Sequence, residues 1–340
     1  VGRRVTLRDV AAVAGVSVST ASKVLNGRGH FTAATHTKIN DAVERLGFRP
    51  NALARSFATG RSQLVGVLTE FAPGVFTSPV MVGASTHLGH NNMATLFADA
   101  SREPAAMSGL AENLRARHVD GLLVIGDGLH TRLSSVSGGF DVPVVYVFGE
   151  SVDPNDVSFV PDNEMVGRIA TEHLLELGRT KIAHIAVPDD LAGAARTKGC
   201  VDALENAGLS LAGGRAYPSM WRRAGGIAAT TAMLDSGADV DAIFCSNDQI
   251  AFGALAALTA AGRRVPDDVA LVGVDNWEAM SGTGQNVLTT VDPDLRGLGR
   301  AASAYLLDAL TGRHEPGRHT HPCRIRLGES TLGVQAETPA

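Results

Sequence analysis

Seven short runs constrain this chain more than any other feature: LVGVLT (64–69), ATLFAD (94–99), GLLVIG (121–126), VPVVYV (142–147), KIAHIAV (181–187), AIFCS (242–246) and ALVGV (270–274). Their near-continuous apolar character fits strands buried on both faces, and the amphipathic helical stretches between them supply the covering layers. The pattern predicts an α/β architecture with parallel sheets, and two groups of runs predict two doubly wound lobes. A chain of 340 residues, 44% of them hydrophobic, has the material for such cores. Open parallel sheets bind ligands beyond the carboxyl ends of their strands, so a cleft between the lobes is the expected pocket.

The N-terminal part has a different character. Residues 1–62 carry ten Lys and Arg against Asp9, Asp41 and Glu44, a net +7 against −12 for the remainder of a chain whose formal total is −5. Such a head suits a phosphate-binding module, because Lys and Arg that neutralise phosphates drive DNA affinity; a solvated basic surface has the same composition. Thr6 followed by Asp9 has the spacing of a capping box, with Val10, Val13 and Ala14 as the expected buried stripe of the helix and Gly15 as its stop. Ser17 is then a fresh N-cap, and two helices around so tight a turn form a helix-turn-helix.

In the second helix Ala21, Val24 and Leu25 share a face, leaving Val18, Ser19, Ser22, Lys23 and Asn26 outward. Hydroxyls, an amide, a cation and an apolar tip can meet phosphate oxygens, base edges and thymine methyls in a major groove, or form a weakly polar solvent face. A third helix, capped by Thr32 and stopped at Gly47, should bury Ile39, Ala42, Val43 and Leu46. The following RPNALARSFATGRS (49–62) forms helix readily but is too short to be stable alone, as expected of a hinge that orders on DNA.

The runs VTLRDVAAVAGVSVSTASKVLN (5–26) and LGFRPNALARS (46–56), with the two-lobed pattern beyond them, resemble the LacI/GalR family of bacterial transcription regulators over essentially the whole chain. The resemblance implies a three-helix DNA-binding domain over 1–49, a hinge helix or linker over 50–62, and a periplasmic-binding-protein-like effector-binding and dimerisation body over 63–340. One lobe would hold about 63–161 and 292–320, the other about 162–291 and 321–340. It also implies base contacts from Val18, Ser19 and Lys23, and phosphate contacts from Thr6, Ser17, Thr20, Ser22 and Asn26. Paired hinge helices of that family insert a leucine in the minor groove. Here the position holds Phe57, which can still wedge a base step or can pack between hinge and body. Ala54 suits the close approach to the groove floor.

Within the cleft, the resemblance assigns ligand binding to Arg196, whose planar fork can hold two oxygens, and places Phe76 and Phe148 on the first lobe and Met220 or Trp221 on the second. Strand ends independently single out Asn247 with Asp248, and Asp275 with Asn276 and Trp277. The expected effector contacts are Phe76, Phe148, Arg196, Trp221, Asn247 and Asp275. Capping of their own loops is the alternative for Asn247 and Asp275, a surface salt bridge for Arg196, and core packing for each Phe, including Phe71. An aromatic floor with hydroxyl-binding Asp, Asn and Arg suits a sugar better than a purine.

Three separated cysteines give no disulfide framework, and VGRRVTLRDV leads into no apolar segment, so the expectation is a cytoplasmic protein without membrane partners. His314, His319, His321 and Cys323 lack paired metal-ligand spacing, and no Walker loop, dinucleotide fingerprint or GxSxG elbow occurs. No metal, cofactor or catalysis is therefore expected. The expected function is a repressor that binds a near-palindromic operator as a homodimer under control of a small effector, a sugar by the inventory above. The competing reading is a two-lobed solute-binding protein without DNA function.

Overall fold

The computed structural model describes residues 5–25, 29–49, 60–128, 132–282, 286–313 and 315–333, and divides the chain into two units that meet at Gln63 and Leu64. In the first unit, Thr6 starts helix α1 (Leu7–Ala14) through a reciprocal capping box. Its N–H donates to Asp9 Oδ2 (2.8 Å), and the Asp9 N–H donates to its hydroxyl (3.4 Å). Gly15 ends the helix at φ 65°, a left-handed conformation that costs glycine no Cβ clash. The Ser17 hydroxyl accepts the Thr20 N–H (3.0 Å) at the start of α2 (Val18–Leu25), and Thr32 accepts that of Thr35 (3.3 Å) ahead of α3 (Ala33–Leu46).

Val10, Ala14, Val24, Ile39 and Ala42 form the core of this unit, with Leu25, Val43 and Leu46 packed around them. One expected core position is corrected: Val13 is 39% exposed, whereas Ala11 is 2% exposed. Successive helical residues turn by about 100°. A stripe through Val10, Ala14 and Ala11 therefore rotates Val13 outward.

In the second unit all seven apolar runs contain a strand. The first sheet has the order β13-β7-β5-β3-β1-β2, all parallel, built from β1 (Leu64–Thr69), β2 (Ala94–Asp99), β3 (Gly121–Ile125), β5 (Val144–Val147), β7 (Val157–Pro161) and β13 (Gly317–His321). The second has the order β14-β12-β11-β10-β8-β9, from β8 (Ile182–Ala186), β9 (Tyr217–Pro218), β10 (Ala242–Cys245), β11 (Ala270–Val274), β12 (Thr289–Asp292) and β14 (Arg324–Arg326). Only β14 runs antiparallel there. The short β4 (Arg132–Leu133) and β6 (Glu150–Ser151) pair with each other.

The chain crosses between the two sheets after Pro161, after Asp292 and after His321. The second crossing leads into the helix Leu295–Ala309, whose Leu295, Leu298, Ala302 and Leu306 join Val65, Leu123 and Val145 in the core under the first sheet. On the second sheet the helices Asn163–Glu176 and Leu191–Asn206 pack in close backbone contact through two glycines. A Cβ on Gly167 would lie 1.9 Å from the Arg196 carbonyl oxygen, and one on Gly199 1.9 Å from that of Glu164. That contact sets where Arg196 stands.

Candidate functional site

Loops at the carboxyl ends of strands from both sheets enclose a cavity of about 280 Å³. The first sheet supplies Phe76, beyond β1, and Phe148 and Glu150, beyond β5. The second supplies Asp190 after β8, Trp221 after β9, Asn247 and Gln249 after β10, and Asp275 and Trp277 after β11. The Phe76 ring centroid is 5.9 Å from that of Phe148 and 6.1 Å from that of Trp277, so both sheets contribute to one aromatic wall. Gly128 backs this wall, since a Cβ there would lie 2.5 Å from the Phe148 ring.

Arg196 is the polar centre of the cavity and is 8% exposed. Its Nε donates to Asn163 Oδ1 (2.9 Å), its Nη1 to the Ser246 carbonyl (2.5 Å), and its Nη2 lies 3.9 Å from Asp275 Oδ1. The guanidinium carbon sits 5.5 Å from the centre of the Trp221 ring. Partners on several elements thus orient the fork in advance, which a buried cation needs in any case. Burial pushes the Asp275 carboxyl up to about 7, with Arg196 pulling the other way. Near neutral pH that group is therefore divided between an acceptor-only carboxylate and an acid that can also donate. His184 stacks on Phe244, and burial lowers it to about 4, so it stays neutral: Nδ1–H donates to the Phe244 carbonyl (3.0 Å), which leaves Nε2, 3.0 Å from the Thr197 hydroxyl, as an acceptor.

Asn247 both caps and lines. Its Oδ1 accepts the Ile250 N–H (2.8 Å) at the start of the helix Asp248–Ala260, and the residue borders the cavity. All six residues expected from the sequence, Phe76, Phe148, Arg196, Trp221, Asn247 and Asp275, come together here. Phe71 and Met220 do not: Phe71 lies beneath the Arg102 guanidinium at 3.8 Å, and Met220 is 56% exposed.

Sequence reasoning passed over Glu150, Asn163, Asp190, Gln249 and Arg318, which also line the cavity. Asn163 and Asp190 carried the signal that marked Asn247, a polar side chain at a strand-to-helix turn. Asp190 indeed caps its helix through the Ala192 and Gly193 N–H groups. Arg318 lies on β13, whose polar GRHTH has no strand-like apolar pattern. On the same strand His319 stacks on Phe159 (4.8 Å), and His321 stands 3.5 Å from Asp294.

In the first unit, Val18, Ser19 and Lys23 lie exposed on α2, and Val18 is 42% exposed despite its apolar side chain. Thr20 and Ser22 are half-buried. The Thr6 hydroxyl donates to Asp9 Oδ2 (2.7 Å), and the Ser17 hydroxyl pairs with that of Thr20 (2.8 Å), so each cap is engaged within its own turn. Asn26, Ala54 and Phe57 lie outside the described residues, as does His314.

Two kinds of likeness bear on these units. Residues 6–51 match the bacterial regulatory proteins of the lacI family, and residues 171–331 match the periplasmic binding protein-like domain. The HTH-type transcriptional regulator CelR of Thermobifida fusca is 34% identical over 335 residues, covering 96% of each chain. The ribose operon repressor of Escherichia coli K12 is 30% identical over 309 residues, covering 90% of this chain and 93% of its own. Among solved structures, the lac repressor dimer bound to operator and the anti-inducer ONPF superposes with a TM-score of 0.72 at 28% identity, over 97% of this chain and 99% of that one. A CelR–cellobiose complex does so at 0.63 and 30%, over 96% and 100%. A helix-turn-helix followed by a two-sheet, cleft-bearing unit, matched along nearly its whole length by such regulators, decides the assignment: this chain belongs to the lacI family of bacterial regulatory proteins.

Proposed function

We propose that the protein is a cytoplasmic repressor that holds a near-palindromic operator as a homodimer, and that a small neutral sugar in the cleft controls how tightly it holds. The observation that carries this reading is the composition of the cavity. Aromatic faces from Phe76, Phe148, Trp221 and Trp277 surround Arg196, Asn247 and Asp275 in about 280 Å³. Sugar C–H faces stack on such rings, and sugar hydroxyls use both the donor fork of Arg196 and the acceptor oxygens of Asp275. The relatives named for ribose and crystallised with cellobiose support the same class. A site that binds rather than turns over fits the regulators that the chain resembles.

On the DNA side, Val18, Ser19 and Lys23 read base edges, while Thr6, Ser17, Thr20, Ser22 and Asn26 contact phosphates. Residues 1–49 form the DNA-binding domain, 50–62 the hinge with Ala54 and the wedge Phe57, and 63–340 the effector-binding and dimerisation body. A ligand that prefers one arrangement of the two lobes shifts operator affinity, by about 1–3 kcal/mol in coupling of this kind.

Genomic-fragment selection at fixed salt, followed by release tests with cellobiose, ribose and hypoxanthine, examines the proposal. A selected fragment whose retention changes with one of the sugars supports it. No preference over random duplex in any condition removes the DNA function and leaves the solute-binding reading. A response to hypoxanthine alone removes the sugar.

A further inference from the structure

Three consecutive backbone N–H groups hold the turn that carries Asp275 and Trp277 to the cleft. Asp275 donates to the Val291 carbonyl (3.0 Å), Asn276 to the Thr290 hydroxyl (3.1 Å) and Trp277 to Asp248 Oδ2 (2.7 Å). The turn is strained: Asp275 and Asn276 have φ of 106° and 54°, a region in which a Cβ is crowded, and they stand side by side. Two of the three bonds end on the neighbouring strand β12. The third ends on a different element, the first turn of the helix Asp248–Ala260.

Asp248 is 1% exposed, and its Oδ1 has no hydrogen-bond partner among the described residues. Burial, and then the neighbouring Asp275, push its carboxyl well above the ordinary range; Glu278 adds to this, and the Trp277 amide and Thr290 oppose it. Gly273 on β11 leaves the room it needs, since a Cβ there would lie 2.1 Å from Asp248 Oδ1. So fully buried a group is held for some purpose other than solvation, and it does not line the cavity itself.

We infer that Asp248 is a positioning residue: by accepting the Trp277 N–H it holds the strained turn so that Asp275 and Trp277 face the cleft. Its functional meaning rests on the cleft being the effector site, but its test needs no ligand. The chain has two tryptophans, Trp221 and Trp277, so Trp221→Phe leaves Trp277 as the sole indole. In that background, acrylamide quenching and near-UV circular dichroism of the ligand-free full chain report the turn.

Asp248→Ala removes the acceptor. Quenching rises severalfold and the near-UV signal weakens, while far-UV dichroism is kept. Asp248→Asn preserves the shape and the acceptor oxygen of a neutral acid, and both signals stay at their starting values. Unaltered Trp277 signals in the alanine variant overturn the inference, as does an asparagine variant disturbed as much as alanine. Should the alanine variant fail to fold, the asparagine variant decides alone: undisturbed signals support the inference and disturbed ones overturn it. A cleft that binds no sugar would sink the effector reading and leave these spectra unchanged.

Discussion

Asp275→Asn should stabilise the second unit above neutral pH and leave it unaltered in acid. The carboxyl of Asp275 is raised from 3.8 to about 7, chiefly by burial, with Arg196 offsetting only part of that effect. Between those values the native state retains a proton that the unfolded chain has released, so stability falls as pH rises. About 1.4 kcal/mol per pH unit over about three units gives a loss of about 4 kcal/mol, complete once the pH passes the native value. Below 3.8 both states are protonated and the contribution is fully present. Asparagine has nearly the same shape and no proton to lose, so the variant lacks this slope. The difference between variant and parent should therefore be close to zero in acid and should grow to about 4 kcal/mol in favour of the variant on the alkaline side. Urea unfolding followed by tryptophan fluorescence reads this directly, because Trp221 and Trp277 both lie in the second unit. A difference that is flat with pH, or a parent that gains on its variant as pH rises, would refute the claim that burial outweighs Arg196 at this carboxyl.

Lys23→Ala should weaken operator binding and lower the slope of log K against log salt by about 1 if the ammonium pairs with phosphate, or relax base preference at constant slope if it reads an edge; unchanged binding would take Lys23 out of the interface. Phe57→Gly should abolish operator bending while far-UV dichroism is preserved, and an unaltered bend angle in gel-shift phasing would remove the wedge. Gly199→Ala places a Cβ 1.9 Å from the Glu164 carbonyl oxygen. It should cost about 1–3 kcal/mol of stability by overpacking and loosen the Asn163–Arg196 bond. An unchanged thermal midpoint would show that the two helices can part at no cost.

The strands were the most readable part of this fold, because a run such as GLLVIG or ALVGV has few alternatives to burial on both faces. The strands β12, β13 and β14 were harder to read: TTVD is short, and GRHTH and RIR carry too little apolar character to mark a strand. Their place follows from register against β11, β7 and β12, which is a non-local fact. Val13 shows the same limit on a smaller scale. The spacing of Val10, Val13 and Ala14 permits one stripe and that of Val10, Ala11 and Ala14 another, and the packing of α1 chose the second.

The site divides along the same line. Asn247 and Asp275 were visible as polar residues at strand ends, and Arg196, Phe76, Phe148 and Trp221 through family resemblance. Local chemistry in the chain determined the caps at Thr6, Ser17, Thr32 and Asn247, the stops at Gly15 and Gly47, and the strand-and-helix alternation, because each depends on residues only a few positions apart. Tertiary structure alone decided that Arg196 meets Asn163, Ser246 and Asp275, that Asp248 holds Trp277, and that Val13 faces outward. Those outcomes join residues far apart in the chain. They depend on how closely whole elements approach, as Gly167 and Gly199 permit here, and no local pattern specifies that distance.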